Sequence, residues 1–183
     1  MLIRPRRLRY TPAIRSLVRE TELTVNDLIY PLFIMEGENQ KVAIPSMPDC
    51  YRYSLDLLLK EVVNAYNLGI NAIALFPLIA EDKKDNFGRE SYNPDGLVPR
   101  AVKAIKKEVP EIIIITDVAL DPFSIYGHDG IVEDGKILND ETLEVLVKMS
   151  LSQAAAGANF VAPSDMMDGR VGAIRRALDA AGY

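Results

Sequence analysis

Cys50 is the only cysteine among 183 residues, so no internal disulfide can form. That usage points to a reducing compartment or to indifference to redox state. No apolar run approaches the roughly 18 to 20 residues of a membrane span, so no membrane partner is expected. The first residues contain no apolar core of a secretory signal. Basic side chains number 21 against 26 acidic ones, giving a net charge of −5. Such a balance lacks the basic field that phosphate binding requires, so nucleic acid is not expected as the main partner. Neither a Gly-x-Ser-x-Gly elbow nor a phosphate-cradling glycine motif occurs, and His128 is the only histidine, which argues against a serine triad. No short internal repeat has a solenoid period.

What remains is globular. Apolar residues make up 49% and charged residues 26%, which excludes disorder and low complexity and suits one domain with a sizeable core. Charge is uneven at the start. Arg4, Arg6, Arg7, Arg9, Arg15 and Arg19 crowd the first 20 residues, with Glu20 as the only acid. A transit peptide would be Arg-rich but also Ser-rich and amphipathic. Only Ser16 appears there, and Pro5 and Pro12 interrupt helical continuity, so residues 1–25 read as a solvated or partner-binding arm.

Four apolar runs follow, at 28–35, 70–76, 112–116 and 158–162. Unalternating and rich in β-branched residues, they suit strands buried on both faces. Pro31 counts against a central position for the first. Helical patterns separate them. One opens at Ser54 and reaches Gly69, and a second spans 95–109 and stops at Pro110. A third spans 140–156, with Asp140 at its N-cap and Gly157 beyond its end, and a fourth spans 168–181. The order is β-α four times over, which means parallel strands with right-handed crossovers. The strand starts lie 42, 42 and 46 residues apart. Eight such units plus an arm would need roughly 350 residues, somewhat above a typical (β/α)₈ barrel. The pattern therefore fits either a small open α/β domain or the first half of a barrel.

Ligands of parallel α/β folds bind at the carboxyl ends of the strands. Asp117 ends the four-isoleucine run, where it could accept a proton or orient a nucleophile, or simply cap the next turn. Asp121, His128 and Asp129 share its loop. Carboxylates and imidazole without thiolate favour a hard cation over structural zinc. The bland alternative is that His128, Asp129 and Gly130 form a turn. Ser164 and Asp165 end the fourth run, placed either to hydrogen-bond a substrate or to cap the following helix. Met166 and Met167 read as packing, and Tyr51 and Tyr53 as surface or interface residues.

Taken together, LTVNDLIYPLF (23–33), IPSMPDCYRYSLD (44–56), ALFP (74–77), NPDGLV (93–98), ITDVALDP (115–122), GHDG (127–130), NDETLE (139–144) and VAPSDMMDGR (161–170) resemble porphobilinogen synthase, or 5-aminolevulinate dehydratase. The likeness runs from about Arg6 to Tyr183. It implies a (β/α)₈ TIM barrel, of which residues 26–183 are the first four β-α units, preceded by an extended N-terminal arm. The arm wraps a neighbouring subunit in a homo-octamer. The implied reaction condenses two 5-aminolevulinate molecules into porphobilinogen, in haem and chlorophyll biosynthesis, with loss of two waters. Two lysines form imines with the substrate ketones, and both belong to the second half of the barrel. The lysines here, at 41, 60, 83, 84, 103, 106, 107, 136 and 148, match neither.

The resemblance makes Asp117 the active-site aspartate after the third strand, and puts Ser164 and Asp165 at the fourth strand's rim. Zinc-dependent members carry three cysteines where Ala119, Asp121 and Asp129 stand. Mg²⁺ or a monovalent cation, held by Asp121 and Asp129, is expected instead of catalytic zinc. Cytoplasm or plastid stroma is the expected location. The chain alone is expected to be inactive, and to expose the edges of its first and fourth strands. Two alternatives are a non-catalytic half-barrel that modulates full-length subunits, and a small metal-dependent lyase built on the 117–129 loop.

Overall fold

In the computed structural model, which describes residues 2–183, four strands carry the molecule. They are β1 (Tyr30–Met35), β4 (Ala72–Leu78), β5 (Ile113–Val118) and β8 (Phe160–Pro163). Between them run the helices α2 (Leu55–Asn67), α3 (Leu97–Glu108) and α4 (Asn139–Ala156), with α5 (Arg170–Ala180) after the last. All three β1–β4, β4–β5 and β5–β8 pairings are parallel. The sequence pattern locates each of these elements to within a few residues, because short β-branched runs favour strands and apolar residues at helical spacing favour helices.

The two faces of this sheet differ. Leu32, Ile34, Ile73, Leu75, Ile114 and Thr116 are fully buried toward the helices. With Leu58, Val62, Val102, Ile105, Leu146 and Met149 they form the core between helices and sheet. The alternate residues face away from the helices. Phe33 and Phe76 meet there, ring centroids 5.6 Å apart, and Phe160 is 58% exposed. One layer of helices therefore makes one finished core, and leaves an apolar sheet face uncovered.

Several expectations need correction. β1 is not an edge strand. A short antiparallel pair, β2 (Lys41–Ala43) and β3 (Tyr51–Tyr53), adds to it, giving the order β2-β3-β1-β4-β5-β8. β3 pairs with β1 only at Phe33 and Ile34, so Pro31 falls where β1 has a single neighbour and a missing N–H is tolerated. Tyr53 is a core residue, with the Lys41 ammonium over both tyrosine rings at 4.2 and 5.4 Å. Met167 is buried, as a packing residue should be, while Met166 is exposed.

A two-stranded hairpin, β6 (Ile131–Glu133) and β7 (Lys136–Leu138), interrupts the long loop before α4. Its turn has positive φ at both Asp134 and Gly135, 49° and 73°, and Asp-Gly between apolar runs is the sequence signature of that turn. α4 starts at Asn139, with no side-chain cap, so Asp140 is not its N-cap. The arm is not extended throughout. A 3₁₀ turn spans Pro5–Arg9, and a short helix, α1, spans Pro12–Leu17, capped by the Thr11 hydroxyl. Pro12 begins that helix rather than breaking it, since a helix's first turn needs no N–H there. Met1, the first residue of the expected arm, lies outside the described residues. No helix of the described residues is long and apolar enough to cross a membrane.

Candidate functional site

The carboxyl ends of β1, β4 and β5 border a shallow cleft of about 200 Å³, lined by Phe33, Arg52, Phe76, Pro77, Leu78, Asp117, Asp121 and Pro122. Asp117 enters it because side chains alternate along β5. Thr116 and Val118 point to the helices, and Asp117 points to the open sheet face. Ser164, just past β8, donates its hydroxyl to Asp117 Oδ1 at 2.5 Å. The strand register sets this pair up, since Asp117 stands opposite Ala162 and Ser164 lies two residues further on the same face.

Burial pushes the Asp117 carboxyl above its ordinary range. The Ser164 and Val118 hydrogen bonds pull it back, and the charges of Asp129 and Asp165 push it up again. Asp121, at the mouth of the cleft, is likewise pushed up, first by desolvation and then by Asp129 and Asp117. A carboxyl raised by burial and set beside a hydroxyl takes up and returns a proton more readily than a free aspartate.

The expected site residues divide. Asp117, Ser164 and Asp121 come together at the cleft, and Asp129 is near enough for its charge to act on Asp117, Asp121 and Asp165. Asp165 turns into its own loop. Its Oδ1 accepts from the Met167 N–H at 2.7 Å, and its Oδ2 lies 3.3 Å from Arg170 Nε. That ion pair is not aligned as a hydrogen bond, and both atoms lack a hydrogen-bonding partner. His128 is exposed at the loop tip, outside the cleft. Among the described residues no three His, Cys, Asp or Glu side chains converge to hold a metal ion by themselves. The donor set is nonetheless all oxygen, and a hard cation such as Mg²⁺ commonly takes only one or two carboxylates and keeps its waters. Asp121 and Asp129 fit such an ion in kind, as carboxylate oxygen donors sharing one loop. Zinc held by thiolate does not fit, as Cys50 is the sole cysteine.

Sequence reading missed four contributors. Arg52, on β3, lines the cleft with a cationic side chain. Gln153, on α4, reaches the β5 end from beneath. Asn86 and Asn139 fasten the rim loops. The Asn86 amide donates to Val132 O and accepts from Val132 N–H, at 2.9 and 3.0 Å, and Asn139 pairs in the same two-bond way with the main chain of Asp168, at 3.2 and 2.8 Å. Only the Asp-Gly hairpin turn between these two fastenings had a legible signature.

The chain is similar in sequence and fold to proteins of known identity. A profile of the family described as delta-aminolevulinic acid dehydratase matches residues 2–183. The delta-aminolevulinic acid dehydratase of Bradyrhizobium diazoefficiens is 53% identical over 182 residues, covering all of this chain and 52% of that protein. A chloroplastic delta-aminolevulinic acid dehydratase of Arabidopsis thaliana is also 53% identical, over 98% of this chain and 42% of its own length. The crystal structure of the Toxoplasma gondii enzyme, porphobilinogen synthase in complex with the reaction product porphobilinogen, superposes with a TM-score of 0.96 at 50% identity, covering all of this chain and 52% of that one. The chain thus spans about half the length of the relatives it matches, and it belongs to the delta-aminolevulinic acid dehydratase family.

Proposed function

We propose that this chain supplies the first four β-α units and half of the catalytic rim of a (β/α)₈ enzyme that condenses two 5-aminolevulinate molecules into porphobilinogen, with loss of two waters. The observation that carries the reading is the Asp117–Ser164 pair at adjacent strand ends, in a chain matched over residues 2–183 by this family. Asp117 is the group that accepts and returns a proton at the reacting carbon, and the Ser164 hydroxyl fixes which carboxylate oxygen does so. Arg52, which lines the same cleft, is the cation that would meet a carboxylate substrate there. Asp121 and Asp129 would hold Mg²⁺ or a monovalent cation, which when bound supplies Lewis-acid polarisation of a substrate oxygen.

The uncovered apolar face supports the half-barrel assignment. A barrel interior is filled by side chains from all its strands, and here Phe33, Phe76 and Phe160 have neighbours on one side only. In this reading the imine-forming lysines belong to the other half, and among the described residues no lysine lines the cleft. The arm exposes Leu2, Ile3, Leu8, Tyr10, Leu17 and Leu23 and contributes nothing to the core. Such a segment is built to lie on another surface, which is the basis for proposing a homo-oligomer, an octamer in the finer reading. Chloroplastic relatives support the plastid stroma alongside the cytoplasm as a location.

The full-length protein incubated with 5-aminolevulinate should release porphobilinogen, read with an aldehyde colour reagent. The 183-residue chain alone should release none, and borohydride should trap no substrate adduct on it. No product from the full-length protein would sink the functional reading, and an adduct on any of the nine lysines would sink the division of labour. The same exposed arm favours a second reading, a half-barrel that docks on full-length subunits and modulates their assembly. Co-expression and size-exclusion chromatography test it, and failure to co-elute removes it.

A further inference from the structure

We infer that Gln153 is a positioning residue for Asp117, substituting for a backbone hydrogen bond that the sheet itself cannot make. The inference rests on the functional reading above for its effect on rate, and on the sheet geometry alone for the contact.

The argument begins with the ladder. In these parallel pairings a carbonyl facing its neighbour accepts from the residue one beyond its partner. Ile113 faces Ala72 and donates to Asn71 O, at 2.8 Å, which sets the phase on the β4 side. Residues 115 and 117 share that phase. The register from Leu75–Thr116 puts Phe76 opposite Asp117, so the donor due to Asp117 O is the N–H of residue 77. Residue 77 is proline and has none. The β4–β5 ladder duly stops at Leu75 and Thr116.

A carbonyl left open at the end of a buried strand is nearly always satisfied by something. Here Gln153 Nε2 donates to Asp117 O at 3.0 Å. The other end of the same amide accepts from Thr116 Oγ1 at 2.8 Å, which fixes its orientation. Gln153 is 0% exposed, on a helix otherwise facing the sheet with Leu146, Met149 and Ser150. A fully buried amide with both ends engaged on two successive residues of one strand acts as a clamp. It sets the peptide plane of Asp117, and through it the direction in which the carboxyl leaves the strand toward Ser164.

The experiment uses the full-length protein. Gln153→Leu keeps the volume and removes both bonds. It should lower kcat roughly 10- to 100-fold with KM unchanged, the scale on which small displacements of a reacting group act. It should also speed amide exchange at Val118 and Ala119. Pro77→Ala returns the missing N–H to the ladder, so Q153L/P77A should recover both kcat and amide protection. Ser150→Ala, whose hydroxyl donates only to Leu146 O within the same helix, is the control for general loosening of α4. Should Q153L fail to fold, Thr116→Val leaves the glutamine in place but unanchored, and should show the same kcat loss in milder form. Wild-type kcat in Q153L, a loss that tracks melting temperature as in S150A, or no recovery with P77A would each overturn the inference. Wild-type protein that makes no porphobilinogen would remove the functional reading, and the exchange of the strand end would still decide the clamp.

Discussion

Gly130 closes the GHDG loop and adjoins the β6–β7 hairpin, and replacing it with alanine should destabilise the protein for a steric reason alone. Its φ is not among the positive ones, so the backbone accepts an L side chain. Space does not. A Cβ at residue 130 would lie 2.4 Å from Ile137 Cγ2, 3.0 Å from Met167 Cε and 3.3 Å from Thr142 Oγ1. Met167 ends in a flexible thioether and can yield. Thr142 cannot, because its hydroxyl accepts from the Ile131 N–H and donates to Leu138 O, at 3.0 and 2.5 Å. Relief must come from Ile137, which shifts the hairpin. Overpacking of this kind costs about 1 to 3 kcal/mol. Urea unfolding of the full-length protein reads it directly. Ile137 is 36% exposed, so Ile137→Ala should itself cost about 1 to 2 kcal/mol. Because it removes the clashing methyl, the double variant should cost less than the sum of the two by roughly 1 kcal/mol or more. Gly135→Ala is the contrast, since nothing lies within 4 Å of its Cβ position and only its φ of 73° opposes the change. Gly130→Ala with wild-type stability, or strict additivity with Ile137→Ala, would refute the steric account.

Other outcomes are equally definite. Asp117→Asn keeps the shape but cannot exchange a proton, and should lower kcat at least about 100-fold with little change in KM; a smaller loss would remove Asp117 from proton transfer. Glu36 sits between Arg100 and Lys83, and the Arg100 hydrogen bond, ahead of Lys83, holds its carboxyl below the ordinary range. A depressed acid adds stability above its unfolded pKa and loses it as pH falls through the folded one. Glu36→Gln should therefore flatten the acid limb of melting temperature against pH, and an unchanged limb would show the network to be screened. The isolated 183-residue chain, with β8 paired only to β5 and Phe160 open, should self-associate; a sharp monomeric melting transition in sedimentation-checked samples would contradict this.

The legible parts of this chain are those in which a single physical requirement dominates. A short β-branched run such as 112–116 favours a strand whether one face or both are covered, and Gly157, at φ 107°, marks the end of α4 because few other residues adopt that conformation. Asp117 and Ser164 were legible because a polar residue closing an apolar strand has few other places to be. The rest depended on partners far away in sequence. Nothing local distinguishes Gln153 from any polar residue on α4, since its meaning comes from Pro77, 76 positions earlier. Asp165 follows the fourth strand as read, and its carboxylate accepts from the Met167 N–H and lies 3.3 Å from Arg170 at the start of α5, contacts made only by folding the loop. Asp140 looked like the N-cap of α4, yet that helix starts at Asn139, whose side chain holds the chain at Asp168.

The two asparagine fastenings also make the rim depend on the neutrality of two side-chain amides. Each joins a side-chain amide to a main-chain amide as though one more rung had been added to a sheet. The loop after β4, the hairpin and the loop after β8 are thereby joined in series. Hydrolysis of either amide to a carboxylate would change one NH₂ into an oxygen, and turn that rung from donor-to-carbonyl into oxygen facing oxygen. Val132 O or Asp168 O would then be repelled by the group that had held it. Conversion of either asparagine to aspartate would thus open the rim locally while the helices and strands beneath it stayed in place.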